Sequence, residues 1–200
     1  MKTAGELILI TMTVFLLWTG AALAENWSAA AKGRSPPSAE FKAKSNESEW
    51  LTAMSKRLEE RIPDNATRMA LLKAVHYESR RAGVDPQVVL SLIDVASGFK
   101  KYAVSSAGAR GLMQVMPFWV KLIGAKGDNL FDMRKNIRYG CTILRHFLDL
   151  ENGDLLKALG QYRNQMGGLV EVESEPVVSS SDFPKTVERM SKTRWRYDGL

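Results

Sequence analysis

An aspartate followed directly by a proline, Asp85-Pro86, fixes a helix start in this chain. The aspartate side chain can cap the open N–H groups of a first turn, and proline is at home at the first helical position, where its missing N–H is not needed. Val88, Val89, Leu92, Ile93 and Ala96 follow at spacings that gather on one face, so the pattern predicts a buried helix. The stretch from Gly98 to Gly111 that comes next is rich in small residues, and it closes on Gln114, Met116 and Pro117. Backbone with few side chains can come close to a ligand, but a tight turn between two helices needs the same residues. Composition alone leaves both readings open.

Helical spacing dominates the rest of the domain. Trp50, Leu51, Met54 and Leu58 recur at that spacing until Pro63 stops the run, and a second helix is expected from about Asn65 to Arg81, with Gly83 placed to end it. Asn129-Leu130-Phe131-Asp132 leads into a helix of about Lys135 to Leu150 that carries Ile137, Cys141, Leu144 and Leu148. Gly153-Asp154 breaks and caps, and a short helix from Leu155 ends near Tyr162. The fold class is therefore mostly α.

Before the domain, Lys2 precedes an apolar run from Leu7 to Trp18, and Ala22-Leu23-Ala24 offers small residues ahead of a cleavage point. Residues 1–24 read as a secretory signal peptide, which implies a periplasmic or otherwise exported protein with no stable membrane span after cleavage. Glu6 and the continuation through Trp18-Thr19-Gly20 keep an uncleaved anchor as the competing reading. Residues 25–47, with Ser35-Pro36-Pro37-Ser38 at their centre, lack apolar periodicity and read as a disordered tether, leaving residues 48–200 as one domain. The only thiol, Cys141, has no partner for an internal disulfide and sits among apolar helical residues, so it reads as a small buried hydrophobe.

The net charge of +6 suits a polyanionic surrounding without choosing one. Basic residues are scattered rather than interleaved with aromatics or gathered on one recognition helix, which argues against nucleic acid. His76 and His146 are the only histidines, and neither stands in a ligand spacing, so no metal and no cofactor is expected.

The run Ala96-Ser97-Gly98-Phe99, then Ser105 and Gly108-Ala109-Arg110-Gly111-Leu112-Met113-Gln114, resembles the motif of bacterial lytic transglycosylases of the soluble-lytic-transglycosylase (SLT) type, with their goose-type-lysozyme-like domain. The resemblance covers roughly Leu71 to Tyr162 and includes Asn136-Ile137-Arg138-Tyr139-Gly140. It implies a lysozyme-like helical domain and an envelope protein directed at peptidoglycan glycan strands. By the same resemblance, Ser97, Ser105, Gly108, Met113, Gln114, Tyr162, Arg163 and Asn164 would line a groove for N-acetylated sugars. The bland alternative is that Met113 and Met116 are core, and that Gln114 and Tyr162 only satisfy backbone groups.

Two positions depart from the family pattern. Ala96 stands where the family has the glutamate that acts as acid and then base while the C6 hydroxyl of N-acetylmuramic acid attacks its own anomeric carbon to give a 1,6-anhydro product. In addition, Arg163 intervenes between Tyr162 and Asn164, where the family has Tyr-Asn. The second departure favours natural degeneration over a designed inactive variant.

An alanine has no proton to give, and general acid–base assistance is worth typically ~100- to 10,000-fold. Asp94 lies roughly 200° round the helix from Ala96 and is expected to face away. Glu78 is expected to pair with a basic residue at the surface. Glu171, Glu173 and Glu175 form an acidic run past the matched region and are the candidates for a relocated acid. The expected function is therefore a glycan-binding protein with catalysis lost or strongly impaired, with a working transglycosylase using a relocated acid as the alternative. A protein partner at the envelope is expected to use the basic run from Arg189 to Arg196.

Overall fold

Seven helices follow one another in the computed structural model, which describes residues 47–166 and 182–198: α1 (Glu47–Leu58), α2 (Asn65–Ala82), α3 (Pro86–Ser97), α4 (Phe118–Ile123), α5 (Met133–Leu150), α6 (Leu155–Gln165) and α7 (Phe183–Lys192). Among the described residues there is no sheet, only two antiparallel bridges, Val104 with Arg110 and Arg110 with Val115. The mostly α expectation holds. The signal peptide, most of the tether and the acidic run Glu171 to Glu175 lie outside the described residues.

Local chemistry sets the helix starts. Asp64, Asp85, Asp132 and Asp154 each cap the helix that follows, accepting from the N–H of Thr67, Gln87, Lys135 and Lys157. Gly83 and Gly98 end α2 and α3 in the left-handed conformation, where glycine carries no Cβ penalty.

Helix α3 is the axis of the domain, with all its residues but Val95 buried. It packs against α2 and α7, while α5 packs against α2 and α6, and α6 against α7. Its mean apolarity is that of an all-round buried helix rather than a one-sided one. Trp50, Met54 and Leu58 from α1 and Trp195 beyond α7 complete the core, and Phe99 meets Trp195 edge-on at 5.6 Å between ring centroids.

Two helices are absent from the periodicity reading. Helix α4 is too short for its period to stand out. Helix α7 buries Phe183, Val187 and Ser191, a narrow stripe among charged residues. The basic run at its end is tied to the domain rather than free: Arg194, half exposed, pairs with the buried Asp94, Lys192 pairs with Glu188 on the surface of α7, and Trp195 next to Arg194 is fully buried.

Candidate functional site

The C-terminal end of α3 delivers Ala96 and Ser97 to the start of the small-residue loop. Ala96 is fully buried, and the Ser97 hydroxyl donates back to the Ile93 carbonyl at 3.1 Å within its own helix. Phe99 then takes a positive φ of 64° directly after Gly98 at 56°, so two successive residues are left-handed and the chain reverses sharply. A non-glycine residue in that region is a local cost that the burial of Phe99 against Trp195 offsets.

The loop is held by its own polar groups. Ser105 Oγ accepts from the Ala109 N–H at 3.0 Å, and the Gly108 N–H donates to the Ser105 carbonyl at 2.9 Å with φ of 89° at Gly108. Arg110 and Val115 exchange both backbone bonds at 3.0 Å. Gln114 is fully buried at a φ of 50°, and its amide nitrogen donates to the carbonyls of Gly111 and Ala103 at 2.9 and 3.2 Å. Its Oε1 is buried with no donor among the described residues.

Asn136 on α5 clamps this loop from outside. It accepts from the Met113 N–H at 2.8 Å and donates to the carbonyls of Arg110 and Leu130, both at 2.8 Å. Gly111 makes that approach possible, because a Cβ there would lie 2.5 Å from Asn136 Nδ2. Sequence reasoning took Asn136 only as part of a motif. The one local signal was an amide near the buried stripe of an amphipathic helix.

From α6, the fully buried Tyr162 donates its hydroxyl to the Met113 carbonyl at 2.8 Å. Burial pushes the Tyr162 hydroxyl well above the ordinary tyrosine value, so it remains a donor. Tyr162, Met113, Gln114 and the Ser105–Gly111 turn are thus brought together, with Met113 itself part of the core. Asn164 is exposed, whereas Arg163 is 3% exposed, stacks over Phe183 at 5.6 Å, and leaves Nη1 without a partner. Burial lowers the Arg163 pKa. Trp119 reaches across to α6, where its indole donates to Gln165 at 2.7 Å, a contact the sequence reading did not foresee.

The two nearby carboxylates are both engaged elsewhere. Asp94 is clamped between Arg61 at 2.6 Å and Arg194 at 3.1 Å. Glu78, expected at the surface, is instead fully buried, and Arg81, Arg134 and Arg138 surround it at 2.8, 3.2 and 3.2 Å. The correction has a physical cause. α2 packs on α5, which covers the carboxylate while the longer arginines still reach water. Burial alone would raise its pKa, but the hydrogen bonds and charges of Arg138 and Arg81 outweigh burial and hold it below the ordinary glutamate value. Asp85 is raised by burial, yet it caps the opposite end of α3 from Ala96. Among the described residues no group of three or more His, Cys, Asp or Glu side chains is placed to hold a metal ion, and no helix is long and apolar enough to cross a membrane.

The family model for the transglycosylase SLT domain matches residues 73–174. The chain is 39% identical over 82 residues to membrane-bound lytic murein transglycosylase C of Mannheimia succiniciproducens, an overlap of 36% of this chain and 23% of that protein. It is 36% identical over 84 residues to a transglycosylase of Enterobacteria phage PRD1, covering 42% of this chain and 31% of that one. The chain therefore spans less than a third of either relative's length. Among solved structures, the 70 kDa soluble lytic transglycosylase SLT70 of Escherichia coli aligns with a TM-score of 0.48 at 17% identity, over 91% of this chain and 34% of that one.

Proposed function

Because the chain belongs to the transglycosylase SLT domain family, we propose that it binds peptidoglycan glycan strands at the cell envelope, over the Ser105–Gly111 turn that the buried Gln114 and Tyr162 hold from beneath, with the glycosidic-bond chemistry lost. The observation that carries this reading is the fully buried Ala96 at the end of α3, in the place of the family's acid.

A general acid must carry a proton near the operating pH and reach the glycosidic oxygen. Asp94 is held by two arginines, and Glu78 is kept ionised by three on the α2–α5 face. Asp85, whose carboxyl is raised by burial, is separated from Ala96 by the length of α3, roughly 16 Å at 1.5 Å per residue. None of these three stands as a free carboxyl beside Ala96. The binding half of the reading is supported by what the loop retains: the Ser105–Gly111 turn, braced from within by Gln114, and a tyrosine that locks the Met113 carbonyl. Arg163, tucked over Phe183, is not assigned to the groove.

The test is digestion of purified peptidoglycan by the chain and by Ala96→Glu, scoring 1,6-anhydro products by mass spectrometry and bound protein by co-sedimentation. Both proteins are expected to sediment with the polymer. Only the glutamate variant is expected to release anhydro products, by a factor of at least ~100 over the parent. Release by the unaltered chain overturns the reading and directs mutation to Glu171, Glu173 and Glu175.

A further inference from the structure

A pocket of about 390 Å³ opens on the face made by α2, α5 and the turn after α4, and none of the groove residues lines it. Arg81, Lys135 and Arg138 supply its charge, and Asp128, Tyr139 and Thr142 much of the remaining wall. The buried Glu78 fixes Arg81 and Arg138 in place, so their positions are set before any ligand arrives.

The charge does not balance there. Three guanidinium groups share the single Glu78 carboxylate, while Lys135 and Asp128 cancel each other. Counting only the cations that line the pocket, Arg81, Arg138 and Lys135, against Glu78 and Asp128, one positive charge is in excess, and Arg134 adds a second on the same carboxylate outside the lining. Arg81 contacts Glu78 through Nε, and Arg138 through Nε and Nη2. Their side chains are 37% and 48% exposed, so further N–H donors lie within reach of a ligand from water. Guanidinium groups set in advance by a buried partner suit carboxylate or phosphate oxygens, which they bind by paired donors.

The floor is equally built. Lys135 bonds Asp128, and Tyr139 donates its hydroxyl to the same carboxylate at 2.7 Å; Lys135 first and Tyr139 second hold the Asp128 carboxyl down to about 2. Gly124 is what admits the tyrosine, because a Cβ there would lie 1.6 Å from the Tyr139 hydroxyl oxygen. The volume falls within the range of sites that take small organic molecules, and well above what a bare inorganic anion fills.

We propose that this pocket is a second binding site, separate from the glycan groove, for a small organic anion or chain end bearing a carboxylate or phosphate group. The proposal does not rest on the glycan reading, since the two sites share no residue.

The experiment follows backbone amides of the full chain by two-dimensional NMR during titration with two probes. One is a tetrapeptide with a free C-terminal carboxylate, beside its amidated twin. The other is glucose 1-phosphate. A neutral chitooligosaccharide reports separately on the groove. At least one anionic probe is expected to shift Gly124, Ala125, Tyr139 and Thr142, more weakly as salt rises, and which probe does so identifies the source of the anion. Arg138→Gln is expected to weaken this binding at least tenfold. Thr142→Phe, which fills the pocket and leaves every ion pair standing, is expected to do the same, and it decides the matter if Arg138→Gln fails to fold. No shift with either probe up to about 10 mM, equal shifts by the amidated twin with none from the phosphate, or binding that survives Thr142→Phe overturns the proposal.

Discussion

Gly140 on α5 and Gly160 on α6 are both helical glycines, and the structure assigns opposite signs to the same substitution. Replacing glycine by alanine inside a helix is worth about 1 kcal/mol of propensity. At Gly160 nothing lies within 4 Å of the new Cβ, so the full gain is expected. At Gly140 the new Cβ would lie 2.3 Å from Met113 Sδ and 2.7 Å from both Met113 Cε and Cβ. The sulfur and methyl can swing aside, but the Cβ cannot. Met113 is pinned on both sides, its N–H to Asn136 and its carbonyl to the Tyr162 hydroxyl, each at 2.8 Å. Overpacking of this kind costs about 1–3 kcal/mol.

The propensity gain is common to both variants and cancels in their difference, which isolates the clash. Gly140→Ala is therefore expected to be about 1–3 kcal/mol less stable than Gly160→Ala. Urea denaturation of both, with the slope checked for equality, reads that difference. A Gly140→Ala variant as stable as Gly160→Ala would show that Met113 is not held as described, and the clamp formed by Asn136 and Tyr162 would fall with it.

The buried Glu78 predicts acid sensitivity. Its folded-state pKa lies below the ordinary value of 4.5, so its contribution is fully present above that value and is lost as pH falls through the folded one. Thermal melts from about pH 6 to about pH 3 should show that loss, and Glu78→Gln should show less of it while starting about 3 kcal/mol lower, the low end for breaking a buried pair because the arginines reach solvent. Cys141 is fully buried, and burial drives its thiol far above the ordinary range, so a thiol reagent should label it only in denaturant; labelling of the native chain at the unfolded rate would contradict the packing of α5. Arg163→Leu removes a buried cation whose Nη1 is unpaired and keeps a contact with Phe183, so unfolding should require about 1–2 kcal/mol more, and a loss of stability of similar size would mean that the guanidinium has a partner.

What the sequence alone determined is what depends on neighbours along the chain. Aspartate caps ahead of α3 and α6 were legible because capping is completed within three residues, and the glycine after α2 because a left-handed stop is a property of one residue. The alanine at position 96 was legible for the same reason, since the absence of a carboxyl there needs no coordinates. The bounds drifted only at the ends, with α5 starting at Met133 and α6 running on to Gln165.

Tertiary structure decided which polar groups were already spoken for. Asp94 meets Arg194, which lies a hundred positions away, and Glu78 meets Arg138 on a helix sixty positions on, so neither pairing leaves a trace in periodicity. The burial of Glu78 and the stacking of Arg163 on Phe183 arise where two helices meet, and the Arg194–Asp94 pair where the chain beyond α7 returns to α3. A helix's own pattern states which face is apolar, but only the partner helix decides whether a charge beside that face is covered. The same holds for the small-residue loop: its composition left a tight turn and a close approach equally open, and the fold supplied Asn136 and Tyr162 as the groups that hold it.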